Sequence, residues 1–272
     1  MTPLRPAALA FDAVAPLFDA RFGEWLSVAA QRRAVRRALL ATLPAGARVL
    51  ELGGGTGEDA LWMARNGFDV LLTDVSPAMV EAARAKLARH GSQAEIAAAE
   101  DLPRFAQSHF QRGGAPFDAA FSNFAPLNCV DTLDPVARGL ATLVRPGGAA
   151  MLVLFGSLSP GEMVVETLRG RLPQALRRRR YGPVPARLGN KAFTVTYHRR
   201  RVLIAAMHPW FRPVRRLGIG VFVPPSAAEP WISRHPRLLR LLETLDRAAE
   251  RPLAALGDHV LYQFERTAIA PP

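Results

Sequence analysis

From Ala47 to about Val153, short apolar runs alternate with segments of helical periodicity. "RVLEL" (48–52), "FDVLLTD" (68–74), "AEIAAA" (94–99), "PFDAAFSN" (116–123) and "GGAAMLVLF" (147–155) read as five strands. The third is the weakest, because alanine is a poor strand former. Between them, "EDALWMARNG" (58–67) is helical and closes on Gly67. "SPAMVEAARAKLARHG" (76–91) carries Ser76 as N-cap, Pro77 at the first helical position and Gly91 at its end. "TLDPVARGLATLV" (132–144) is a third helix. Such alternation predicts an α/β fold with a parallel sheet and right-handed crossovers. Ligands of such sheets bind at the carboxyl ends of the strands.

Outside this core the pattern changes. Residues 1–45 are expected to be helical, with "WLSVAAQRRAVRRALLATL" (25–43) amphipathic. Residues 157–195 are rich in Arg, Pro and Gly and show no period, so they read as an insertion or cap. "TVTYHRR" (194–200) alternates as an edge strand does, "PRLLRLLETLDRAAER" (236–251) is a helix, and "DHVLYQFER" (258–266) is a final strand. The expected division is 1–45 as a helical lid and 46–156 as the ligand-binding core. Residues 157–230 are then an acceptor-binding cap that includes a late core strand, and 231–272 the last helix and strand.

At 272 residues the chain is long enough for one large core. The longest apolar run, "AAMLVLFG" (149–156), is far too short to span a bilayer, and no secretory signal is visible. One cysteine, Cys129, excludes an internal disulfide and any multi-cysteine metal site; as a thiol it reads as buried and inert. A cytoplasmic protein, monomeric or homodimeric, is the expectation. The net charge of +12 admits a nucleic-acid or membrane partner. Arginines cluster at 177–180, 199–201 and 212–216. Yet only Lys86 and Lys191 among 35 basic residues are lysine, an arginine bias that solvated faces explain without a partner.

"VLELGGGTGED" (49–59) is where chemistry enters. Gly53, Gly55 and Gly57 form a turn between strand and helix, and Asp74 ends the next strand 21 residues after Gly53. That spacing suits an acid on the ribose hydroxyls of an adenosine-type ligand. The dinucleotide pattern needs glycine where Glu58 stands. Glu51, Glu58 and Asp59 would repel a pyrophosphate and suit a ligand carrying an ammonium and a sulfonium. S-adenosylmethionine (SAM) is such a ligand.

"VLELGGGTGED", "LLTDVSPAMVEAAR", "AEDLP", "FDAAFSNFAPLN" and "LVRPGGAAMLVL" resemble, in order and spacing, successive motifs of the class I SAM-dependent methyltransferases. The likeness is greatest to the small-molecule, ubiquinone-biosynthesis-like type 11 group, and covers roughly residues 46–156. It implies a Rossmann-like, doubly wound, mostly parallel sheet of seven strands with the last antiparallel. It implies SAM as cofactor, S-adenosylhomocysteine as product and no metal. Glu51, Gly53, Gly55 and Gly57 would line the methionyl and ribose parts, and Asp74 would bind the ribose. Val75, Met79, Glu100, Asp101 and Leu102 would flank the adenine. Asn123 and Phe124 would face the sulfonium and the acceptor. "NFAPL" departs from the "NPPY" pattern of nucleic-acid amino-methyltransferases.

A small-molecule acceptor is therefore expected. An RNA or DNA methyltransferase, or a SAM-using cyclase or lyase, stays open as an alternative. The acceptor side is assigned to Phe18, Phe22, Asn128, Tyr197 and Trp210. If the acceptor must lose a proton, His198, His208 and His259 are the candidate bases, and each is alternatively a packing or surface residue. Asp12 and Asp19 read as helix-capping residues.

Overall fold

A computed structural model describes residues 5–271. Three helices open it: α1 (Pro6–Asp12), α2 (Ala15–Phe22) and α3 (Leu26–Leu40). The core then alternates β1 (Arg48–Leu52), α4 (Glu58–Arg65), β2 (Asp69–Asp74), α5 (Pro77–Leu87), β3 (Gln93–Ile96), α6 (Leu102–Gln111), β4 (Phe117–Ser122), α7 (Asp134–Leu143) and β5 (Val144–Phe155). The cap holds α8 (Pro160–Leu168), α9 (Leu172–Ala175), β6 (Pro183–Leu188) and β7 (Lys191–Thr196). The chain ends with α10 (Arg200–Met207), β8 (Phe211–Ile219), α11 (Pro236–Ala249) and β9 (His259–Arg266).

Seven strands form one sheet in the order β3-β2-β1-β4-β5-β9-β8. β9 alone runs against its neighbours, pairing antiparallel with both β5 and β8. The order reverses between β1 and β4, which puts a crevice at their carboxyl ends. The central strands are buried on both faces. Leu50, Leu52, Ala120 and Leu152 pack into one core under α6 and α7. Val49, Leu72, Phe121 and Val153 pack into the other, under α3, α4 and α5. Nearly continuous apolar runs are what a sheet covered on both faces requires.

Three elements depart from the sequence reading. "TVTYHRR" is in part a strand, but β7 pairs only with β6, in a separate two-stranded hairpin. The late core strand is instead β8, whose "FRPVRRLGI" reads as a charge cluster because Arg212 and Arg216 are exposed and Arg215 is spent on Gln263 and Thr42. Helix α6 was not predicted at all. Among the described residues, no helix is long and apolar enough to cross a membrane.

Candidate active site

The glycine turn leaves β1 with Gly53, Gly55 and Gly57 all at positive φ (63°, 55° and 83°), a region that disfavours side chains. A Cβ on Gly53 would stand 2.3 Å from that of Pro126, and one on Gly54 would stand 2.4 Å from Leu72 Cδ1. Those two glycines serve packing. At Gly55 a Cβ would meet no protein atom within 4 Å, so the turn is open there.

Asp74 closes the open side. Its Oδ2 accepts from Gly55 N and its Oδ1 from Ser76 N, both at 2.9 Å. Burial pushes this carboxyl above its ordinary range, against those backbone donors. Each oxygen retains a lone pair. Glu51 lies deeper, 2% exposed, and its Oε2 has no hydrogen-bond partner among the described residues. Burial raises its carboxyl well above the usual range; Asp59 and Asp74 add to this, while Arg32 and Arg36 oppose it. A buried carboxylate without a donor is a group that a cation would satisfy.

The acids of α4 do not share that role. Arg36 Nε donates to Asp59 Oδ1 at 2.8 Å, and Lys86 Nζ donates to Glu58 Oε1 at 2.5 Å. Both carboxylates are already neutralised by the protein. Of the three acids that argued for a cationic ligand, only Glu51 remains to bind one.

The N-terminal helices clasp three of the loops at this end of the sheet. Arg5 pairs with Glu100 (2.6 Å) and Asp101 (3.2 Å). Asp12 Oδ1 accepts from Ser76 Oγ at 2.5 Å and from Ala78 N at 3.0 Å. Asp19 accepts from Thr56 Oγ1 at 2.5 Å and pairs with Lys86 at 2.6 Å. The capping role read for Asp12 agrees with this geometry. Phe18 and Phe22 belong to an aromatic chain from the cap hairpin: Phe193 to Phe11 (5.9 Å), Phe18 (6.4 Å), Phe22 (4.7 Å) and Trp25 (4.9 Å).

Beyond β4 the backbone is held in a sparsely populated conformation. Phe124 and Ala125 have φ of 57° and 62° without being glycine, a cost of about 1–3 kcal/mol each. Asn123 is what holds the turn. Its Nδ2 donates to Asp59 Oδ2 and its Oδ1 accepts from Phe124 N, each at 2.9 Å. With both ends engaged, the Asn123 side chain positions Phe124 and is not free for the reacting atoms. Arg32 lies over the Phe124 ring at 5.1 Å.

Several expected site residues do other work. Asn128 is fully buried, donates to Thr196 O (2.6 Å) and accepts from Phe155 N (3.0 Å). It clamps β7 to the end of β5 and contacts no open space. His198 donates from Nε2 to Val130 O at 3.0 Å, and burial lowers its pKa against the pull of the Val130 and Leu127 backbone. That nitrogen cannot also take a proton. His208 and Trp210 precede Phe211, which is in register with Arg266, at the amino ends of the parallel strands. They therefore lie across the sheet from the glycine turn, and Trp210 Nε1 donates to Ala270 O there. Leu102 is sealed in the core with Leu127 and Leu140, and Met79 is buried under α5. Val75 and Phe124 stay partly exposed beside them. Tyr197 is buried 5.7 Å from Phe155, and burial raises its phenol. Burial also pushes the Cys129 thiol up to about 12, with Asp74 and Glu100 adding to the effect, so it is no nucleophile.

His259 is placed otherwise. It starts β9 opposite Phe155, at the same end of the sheet as the glycine turn. Its ring stacks on Phe155 at 5.0 Å and stands edge-on to Phe124 at 5.8 Å. Its Nδ1 lies 3.2 Å from Asp258 Oδ2. Asp258 went unnoticed in the sequence, although "DH" opening a strand is its signal.

This geometry can be set beside known proteins. Residues 49–148 match the family model of a methyltransferase domain. The chain is 37% identical over 136 residues to malonyl-[acyl-carrier protein] O-methyltransferase of Enterobacter lignolyticus, covering 49% of each chain. It is 33% identical over 118 residues to tRNA 5-carboxymethoxyuridine methyltransferase of Escherichia coli K12, covering 42% of each. The chain thus spans about half the length of the curated relatives it matches. The fold resembles that of an S-adenosylmethionine-dependent methyltransferase from Mesorhizobium loti. That likeness has a TM-score of 0.52 at 20% identity over 87% of this chain and 98% of the other. The matched residues include the glycine turn, Asp74 and the Asn123–Phe124 turn.

Proposed function

We propose that the protein is a SAM-dependent methyltransferase acting on a small molecule. The carrying observation is the pair of buried carboxylates around an open turn. Asp74 is braced by Gly55 and Ser76 with lone pairs to spare, and Glu51 lacks any donor. These residues fit the ligand: Asp74 accepts from ribose hydroxyls, and Glu51 accepts from the ammonium. Bound there, SAM supplies a methyl group activated by a sulfonium.

The chain's own contribution is placement and exclusion of water. Well-oriented reactants gain about 7–11 kcal/mol. Phe124 is fixed at the reacting end by Asn123, and the N-terminal helices act as a lid clasped to Thr56, Ser76 and Glu100. A closed lid keeps water from the sulfonium.

The arginine-rich cap favours a small acceptor over a nucleic acid. Arg169 and Arg171 pair with Glu166, and Arg177 and Arg178 pair with Glu162, so these four arginines serve the fold. Phosphate contacts need free cations.

Calorimetry tests the reading. SAM and S-adenosylhomocysteine should both bind, and Asp74→Ala should weaken both by about 1.5–3 kcal/mol. Binding of NAD without SAM would overturn the cofactor assignment. Labelled methyl should enter the low-molecular-weight fraction of a cell extract. Transfer into RNA instead would overturn the acceptor assignment.

A further inference from the structure

Resting on that reading, we propose that His259 is the general base of the reaction, that Asp258 positions it, and that the acceptor's nucleophile is a hydroxyl.

Elimination and geometry both lead there. Near Phe124, the side chains of Asn123 and Asn128 are fully engaged, and His198 holds Val130 O. His259 is the ionisable ring in contact with Phe124, and no hydrogen bond from a described residue takes up its Nε2. Phe155 and Phe124 hold the ring on two sides, which fixes its plane.

Asp258 is a buried carboxylate held by three side-chain donors. Arg178 Nη2 donates to its Oδ1 at 2.6 Å, Ser159 Oγ donates to Oδ1 at 3.2 Å, and Gln31 Nε2 donates to Oδ2 at 3.2 Å. These donors come from the cap, through Arg178 and the α8 N-cap Ser159, and from the N-terminal helices, through Gln31 of α3. His259 Nδ1 stands 3.2 Å from Oδ2, off the line of a straight hydrogen bond. Such contacts in a resting site commonly straighten when the reactants bind. A carboxylate on Nδ1 keeps the proton on that nitrogen and leaves Nε2 as the base.

The step balances. Nε2 takes the hydroxyl proton as the oxygen forms its bond to the methyl carbon. The electrons of the broken carbon–sulfur bond return to sulfur, and the imidazolium later releases the proton to water. A carboxylate acceptor is already ionised at neutral pH and would need no such base. A hydroxyl does, and its methylated product is an ether.

The test uses the full-length protein, labelled SAM and the low-molecular-weight fraction of a cell extract. His259→Gln should lower transfer by about 10²–10⁴ while SAM binding stays within about twofold. The labelled product should resist alkali. Nitrogen NMR of the wild type should show neutral His259 protonated on Nδ1, and Asp258→Asn should move that proton to Nε2. A purely structural role for Asp258 would leave the tautomer unchanged. Undiminished transfer in folded His259→Gln, an alkali-labile ester or an N-methyl product, or an Nε2-protonated wild type would each overturn the proposal. Wild-type protein that binds no SAM or transfers no methyl would overturn the underlying reading as well, so the two failures are told apart.

Discussion

Asp12 and Ser76 are joined by a 2.5 Å hydrogen bond that ties the first helix of the chain to the turn after β2. Ser76 is itself the N-cap of α5, its Oγ accepting from Met79 N at 3.1 Å. Asp12 also takes Ala78 N, so two side chains share the first-turn donors of one helix.

Removing Asp12 therefore removes a cap that is remote in sequence. Asp12→Ala should cost about 0.5–2 kcal/mol, the range of lost N-caps. The drop is read from the urea midpoint. Limited proteolysis should cut faster near residues 13–25, because one of three clasps is gone. Unchanged cleavage there would mean that Arg5 and Asp19 hold the helices without it.

The glycines of the turn should separate fold from ligand. Gly53→Ala places a Cβ 2.3 Å from Pro126 Cβ at a φ of +63°. Overpacking of about 1–3 kcal/mol adds to about 1–2 kcal/mol of left-handed strain. Gly55→Ala carries the strain alone, since nothing in the protein lies within 4 Å. The melting temperature should fall far more for Gly53→Ala. Gly55→Ala should stay folded yet lose SAM affinity, because its methyl enters the space assigned to the ligand. Full SAM affinity in that variant would argue against the turn as a cradle.

The sequence made much of this site legible, and the limits have physical causes. The central strands stand out because a sheet covered on both faces needs unbroken apolar runs. Glu51, Gly55 and Asp74 stand out because a turn and the next strand end fix their spacing. The pairing of Asp59 was invisible, since its partner Arg36 lies 23 residues away on a helix before the sheet. β8 was hidden by the three arginines that interrupt its apolar pattern. His208 looked equivalent to His259 until the strand register put them at opposite ends of the sheet.

Glu51 predicts a proton count. Burial holds its carboxyl well above the ordinary range, so free protein retains protons there at pH values where a solvated glutamate would not. An ammonium favours the ionised form. SAM binding should therefore release protons from Glu51, and its contribution to affinity should strengthen as pH rises. Calorimetry in two buffers of different ionisation enthalpy measures the release. Glu51→Gln should abolish that component and weaken binding by about 1.5–3 kcal/mol. Identical release in the variant would assign the proton elsewhere.

Arg178 and Asp258 should set the acid stability of the cap. Burial alone would raise Asp258, but Arg178 and His259 hold it far below the usual carboxylate range. A depressed carboxylate contributes its full stability above the unfolded value of about 3.9 and loses it as pH falls through the lower folded value. Arg178→Met reverses the sign. Asp258 is then buried without its guanidinium, and burial raises it. A buried pair broken on one side costs about 3–5 kcal/mol at neutral pH. In the variant, acid relieves this cost by protonating the stranded Asp258 carboxylate, which makes the folded state comparatively more stable. The gap between wild type and Arg178→Met should therefore narrow as pH falls from 7 towards 4, measured by urea unfolding at each pH. A gap of constant size would show that Arg178 acts through its packing over Phe155, 5.0 Å from the ring centre, and not through its charge.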